Sequence, residues 1–153
     1  MSIEHLYEVE VNWTGARRGA LTSVELTNDI EVATPPQFPN GVENIWSPEH
    51  LFTAAVNSCL MTTFLAVADY SKLEFEHFSS KALGKLEMVE GKYLMSEIIL
   101  KPQLTITKEE LREKAMKVLQ KSEAACLISN SIKSKITFEP EVLVAVPKEE
   151  EVL

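Results

Sequence analysis

Cys59 and Cys126 are the only two cysteines of the chain. Two are too few for a disulfide scaffold, and a lone structural disulfide would be unusual in a small cytoplasmic protein. Two readings follow: a pair of buried, inert thiols, which is a common fate of cysteine, or a redox pair. Redox chemistry needs a thiolate, and apolar burial raises a thiol's pKa, so a nearby cation is required. Arg17 and Arg18, between Gly15 and Gly19, are the obvious supply, because a guanidinium stays charged and presents fixed donors. The plain alternative for them is a solvated turn. Glu49 stands ten residues before Cys59. On one helix that is about 15 Å along the axis, so if both serve one site Glu49 must come from a second copy, with the two helices antiparallel across a twofold axis. Glu49 also suits the positive end of a helix dipole. His5, His50 and His77 show no metal-ligand spacing among themselves or with the cysteines. The chain has no GxGxxG, P-loop or CxxC, so classical nucleotide binding and thioredoxin-type exchange find no support.

The elements that must position these groups read as follows. A length of 153 residues suits a single domain, 1–153, with a core of its own. A formal net charge of -8 argues against nucleic-acid binding, which needs a basic surface. The N-terminus carries no basic and apolar leader pattern, so a cytoplasmic location is expected. Tyr7, Val9, Val11 and Trp13 alternate with polar residues as a half-buried strand. A turn over Thr14–Gly19 leads to a returning strand through Thr22, Val24 and Leu26. The prolines at 35, 36 and 39 make a loop. Ser47 as N-cap, Pro48 at the first helical position and Glu49 near the dipole start a long, mostly buried helix to about Tyr70. Leu51–Ala68 lacks charge, but Thr53, Asn57, Ser58, Thr62 and Thr63 interrupt it, which favours burial in protein over a membrane span. Leu73–Val89 and Tyr93–Leu104 form a second hairpin about Glu90–Gly91–Lys92. Thr107-x-x-Glu110 is a capping-box pattern. It precedes a helical face of Leu111, Ala115, Val118, Ser122, Ala125 and Cys126. Ile136–Val146 is a last strand broken at Pro140, and Pro147–Glu151 a solvated tail. The order ββ-α-ββ-α-β favours α+β.

Three segments carry a resemblance. Trp46-Ser47-Pro48-Glu49-His50-Leu51 with Ala54-Ala55 and Ser58-Cys59 resembles the central helix of the OsmC/Ohr superfamily. Glu123-Ala124-Ala125-Cys126-Leu127-Ile128-Ser129-Asn130-Ser131 resembles the segment bearing its second cysteine, and Trp13–Gly19 its first hairpin. The form of the proline loop and helix start is closest to the OsmC-like branch. The resemblance implies an intertwined α+β homodimer, with antiparallel hairpins wrapped around two long central helices. It implies a cysteine-based peroxidase, an antioxidant enzyme reducing organic hydroperoxides without metal, flavin or other cofactor. Carried over, Cys59 is the peroxidatic and Cys126 the resolving cysteine, Glu49 holds an arginine, and Arg17 is the choice for that arginine with Arg18 its competitor. Arg18, Phe38, Trp46 and Phe52 are candidates for substrate contact. The implied partners are a second copy, the hydroperoxide and a dithiol, lipoyl-bearing in Ohr-type relatives; neither nucleic acid nor membrane is expected. The competing expectation is a non-catalytic dimer of the same fold that binds an apolar small molecule at the interface cleft.

Overall fold

The computed structural model describes residues 2–146; the tail expected to be solvated lies outside the described residues. The chain divides into two compact units, residues 1–51 and 52–153.

The first unit holds a three-stranded antiparallel sheet of β1 (Glu10–Gly15), β2 (Arg18–Thr22) and β3 (Ile30–Ala33), in sequence order. The β1–β2 turn is tighter than the glycine spacing suggests. Gly15, at φ 132, and Ala16, at φ 47, turn the chain within two residues, so Arg17 sits at the tip and Arg18 already opens β2. This early turn corrects the expected register. Val24 and Leu26 lie beyond β2 and are 86% and 66% exposed, and the third strand, β3, was not read from the sequence. Tyr7, Val9, Val11 and Trp13 are also exposed rather than half-buried.

Helix α1 (Pro48–Tyr70) begins and ends where the caps and periodicity put it. Ser47 is fully buried. Its Oγ accepts the His50 N–H at 3.1 Å and its carbonyl accepts the Leu51 N–H at 2.9 Å, the N-cap arrangement. The expectation of a mostly buried helix needs correction: only Val56, Leu60, Phe64 and Ala68 are buried. Their spacing of four residues makes one stripe. Met61 and Leu65 remain 40% and 44% exposed. By length and composition alone α1 would also pass as a membrane span.

In the second unit β4 (His77–Val89) and β5 (Lys92–Ile106) pair antiparallel through a turn at Glu90 (φ 49) and Gly91 (φ 80), a left-handed pair that matches strand twist. The other edge of β5 takes two short parallel strands in succession, β6 (Lys135–Phe138) and β7 (Glu141–Val144), separated at Pro140 as the sequence indicates. Ile98, Leu100, Leu104 and Ile106 are buried along one face of β5. With the α1 stripe they form two core clusters, the second also drawing on Ala115, Val118 and Leu119 of α2 (Arg112–Ala125). Phe64 stacks on Phe78 at 4.6 Å between ring centroids. A Cβ on Gly84 would lie 2.1 Å from Thr53 Oγ1, so the missing side chain lets α1 approach β4.

The capping box does not form. A 3-10 turn at Glu109–Leu111 intervenes, and neither it nor α2 has a side-chain cap. Instead Arg112, first in α2, donates to Glu109 at 2.7 Å through Nε and to the Val142 carbonyl at 2.8 Å. An ion pair with a backbone bond replaces the hydroxyl, because Thr107 directly follows the end of β5.

Candidate active site

The second unit brings the two cysteines together. Cys126 caps the C-terminus of α2 with extended backbone, φ -64 and ψ 111, and is fully buried. The turn after it is stapled: the Asn130 N–H bonds the Cys126 carbonyl at 3.1 Å, Asn130 Nδ2 bonds the Ala124 carbonyl at 3.0 Å, and Ser131 Oγ bonds the Leu127 carbonyl at 2.8 Å. Cys126 Sγ lies 4.0 Å from the Val56 carbonyl of α1. Ile128 packs against the cluster containing Val56 and Leu60. Cys59, on the adjacent turn of α1 and partly exposed, has its Sγ 3.9 Å from Thr63 Oγ1.

These surroundings split the two acidities. For Cys59, burial acts upward, but the Ile128 N–H, the Cys126 thiol, the Thr63 hydroxyl and the Leu127 N–H together outweigh it and hold the thiol below its ordinary range. For Cys126, burial pushes the thiol up; the Ser129 hydroxyl and N–H oppose this, and Cys59 adds to the rise. Donors aimed at a sulfur favour its anion, and a neighbouring anion disfavours a second one. The first proton therefore leaves Cys59 and the pair titrates jointly. Within its own unit the donors that face the Cys59 sulfur are backbone N–H groups, the Cys126 thiol and the Thr63 hydroxyl.

The first unit brings together another part of the expected set. Arg17, Arg18, Phe38 and Glu49 line one cavity of about 530 Å³, with Val11 and Trp13 among its apolar walls. Phe38 is positioned by a folded proline loop, in which the Phe38 N–H bonds the Pro35 carbonyl at 3.1 Å and the Gly41 N–H bonds the Phe38 carbonyl at 3.0 Å. A Cβ on Gly41 would fall 2.0 Å from the Pro35 oxygen, so glycine is required there. The two arginines differ: Arg18 Nη1 pairs with Glu31 Oε1 at 3.0 Å. The Arg17 guanidinium makes no ion pair among the described residues. Glu49 occupies the first turn of α1, where the helix dipole favours a carboxylate.

Two expected contacts lie elsewhere. Trp46 borders other clefts, of about 510 and 270 Å³, and meets His50 edge-on at 6.3 Å; the His50 ring in turn bonds Ser47 Oγ at 2.6 Å. Phe52 packs against the Val56–Leu60 cluster. The sequence reading gave no part in the site to Thr63, which adjoins the Cys59 sulfur; its spacing, four residues after Cys59 on one helix face, was the available signal. It quoted residues 127–129 only as part of a resembling segment, because the Leu127 and Ile128 N–H groups that face Cys59 leave no mark in residue type.

The model of the family described as OsmC-like protein matches residues 41–141. A curated relative is the uncharacterized protein YmaD of Bacillus subtilis strain 168, 24% identical over 144 residues, covering 92% of this chain and 95% of that one. Among solved structures, an OsmC-like protein of unknown function from Vibrio cholerae superposes with a TM-score of 0.79 at 23% identity, over 90% of this chain and 99% of that one. The organic hydroperoxide resistance protein OhrB of Bacillus subtilis gives 0.66 at 21% identity, over 90% and 99%. One from Elizabethkingia anophelis gives 0.72 at 21%, over 94% and 100%. An α+β fold shared with these structures, and a family match spanning α1 and the segment bearing Cys126, lead to one conclusion: the chain belongs to the OsmC-like protein family.

Proposed function

We propose that the protein is a thiol peroxidase for organic hydroperoxides, with Cys59 the peroxidatic and Cys126 the resolving cysteine. The observation that carries this reading is the placement of two adjacent thiols: Cys59, partly exposed with its Sγ 3.9 Å from Thr63 Oγ1, beside a fully buried Cys126 seated 4.0 Å from the Val56 carbonyl, surroundings that lower the pKa of the first and raise that of the second. The Cys59 thiolate attacks one oxygen of ROOH. The O–O bond breaks, the terminal oxygen with its hydrogen stays on sulfur so that Cys59 becomes a sulfenic acid, and the alkoxide takes a proton from water and leaves as ROH. The Cys126 sulfur then displaces hydroxide from it, a disulfide forms, and the Cys126 proton leaves with the hydroxide as water. A dithiol reductant, lipoyl-bearing by the family expectation, returns both thiols by exchange and is itself oxidised to a disulfide.

In this reading a second copy supplies Arg17, held by its Glu49, to orient the peroxide oxygen at Cys59. The exposed Met61 and Leu65 of α1 and the exposed apolar residues of the first unit are the surfaces that a homodimer would cover. Organic over hydrogen peroxide is favoured by the apolar walls around Arg17, among them Val11, Trp13 and Phe38. We place the enzyme in the cytoplasm, where thiol pools keep both cysteines reduced between turnovers.

The test is hydroperoxide consumption with a dithiol. Cys59→Ser should abolish it, Cys126→Ser should leave a Cys59 that over-oxidises, and alkylation of Cys59 should titrate below the ordinary thiol range. Undiminished turnover in Cys59→Ser overturns the reading. The apolar cavity favours a second reading, a non-catalytic binder of an apolar small molecule. Mass spectrometry after mild peroxide separates the two, since only the first yields a Cys59–Cys126 bond.

A further inference from the structure

Ser129 is 8% exposed, and among the described residues its Oγ makes no hydrogen bond of ordinary geometry, although it lies near enough to the Cys126 sulfur to favour its anion. A buried hydroxyl without such a bond is uncommon and calls for an explanation. Its place in the chain is fixed: the Asn130 N–H is bonded to the Cys126 carbonyl at 3.1 Å, and Ser129 opens the 3-10 turn that follows. This closes the segment on itself and sets Ser129 beside the Cys126 sulfur.

We propose that Ser129 is a positioning residue for the resolving step, its idle hydroxyl turning to donate a hydrogen bond to the Cys126 sulfur as that sulfur becomes anionic and attacks the Cys59 sulfenic acid. The inference rests on the peroxidase reading and deepens it. The chemistry poses a specific difficulty. Only a thiolate attacks efficiently, yet burial and the neighbouring Cys59 hold Cys126 in its protonated form. While Cys59 is an anion this is useful, because a neutral Cys126 can donate to it. Once Cys59 is a neutral sulfenic acid, that repulsion is gone and what remains to be overcome is desolvation. A hydroxyl and an N–H from Ser129, already in place and engaged by nothing else through the side chain, meet that need. The S–S bond forms as the S–O bond of the sulfenic acid breaks, and water carries away the hydroxide and the proton. No oxidant beyond the peroxide is used.

The experiment follows both steps in one turnover with an organic hydroperoxide, trapping the sulfenic acid and quantifying the disulfide by mass spectrometry from pH 5.5 to 9. In Ser129→Ala, sulfenic acid formation at Cys59 should keep its rate. Disulfide formation near neutral pH should slow about three- to tenfold, because the lost thiolate fraction outweighs the gain in intrinsic nucleophilicity. The midpoint of its pH profile should move upward, and excess peroxide should drive more Cys59 to sulfinic acid. Ser129→Thr should restore the wild-type profile. If Ser129→Ala fails to fold, Ser129→Thr against Ser129→Val, which differ in the hydroxyl, carries the comparison. An unchanged pH midpoint without the hydroxyl overturns the proposal while leaving the peroxidase reading intact. A wild-type protein that forms no disulfide overturns both.

Discussion

The first fifty residues and the hundred that follow use apolar side chains in opposite ways. In the second unit the alternation along β5 and the four-residue spacing along α1 end in burial, with Leu60, Phe64, Ile98 and Leu100 wholly removed from solvent. In the first, an equally regular alternation through Tyr7, Val9, Val11 and Trp13 ends in exposure, with Trp13 still 79% accessible. Period-two patterning states which residues share a face; it does not state what covers that face. The thiol pair is built into the part with a core of its own. The arginine-lined cavity is built into the part whose apolar alternation stays exposed.

That contrast makes graded expectations for the stability of an isolated chain, measured by denaturant unfolding. Phe64→Ala, which removes a buried ring stacked on Phe78, should cost about 3–5 kcal/mol; a loss below 1 kcal/mol would mean that the second unit does not carry the fold. Gly84→Ala pushes a methyl against Thr53 and Met95 and should cost about 1–3 kcal/mol, so a neutral result would show that α1 can lift from the sheet freely. Ser47→Ala removes the N-cap bond to His50 and should cost about 1 kcal/mol, visible as a lowered unfolding midpoint with an unchanged slope. Trp13→Ser should change stability by less than about 0.5 kcal/mol in a chain held monomeric by dilution. A larger loss there would place the first unit's exposed face in a core after all. A loss that grows with protein concentration would assign that face to a second copy.

The same contrast explains what was legible in the sequence. Helix α1 was readable to its end residues because Ser47, Pro48 and Glu49 are strong start signals and its apolar repeat is long. The β4–β5 hairpin was readable from Glu90–Gly91, and the split of the last strand from Pro140. The β1–β2 register was not, because Gly15 and Gly19 bracket a broad loop on paper while the left-handed Gly15–Ala16 pair closes a short one. Strand β3 was missed because four residues, Ile30–Ala33, are too few for periodicity to register. The capping box failed because motif spacing says nothing of where the preceding strand stops. At the candidate site, the juxtaposition of Cys59 and Cys126 followed from a family resemblance; no local pattern links positions so far apart. The N–H groups of Leu127 and Ile128 that face Cys59 could not be read, because a backbone donor carries no signature in residue type.

The seat of Cys126, against the middle of α1 and at the end of α2, has an energetic corollary. A bond from it to Cys59 would close a loop of about 70 residues, worth roughly 4 kcal/mol to the folded state on the chain-entropy account. Thermodynamic linkage is reciprocal: whatever the crosslink contributes to the fold, the fold contributes to the crosslink. The oxidised molecule would then be the tougher one to melt and the harder one to reduce, so on the proposed peroxidase cycle a reductant would need a low potential or a way to loosen the 126–131 turn first.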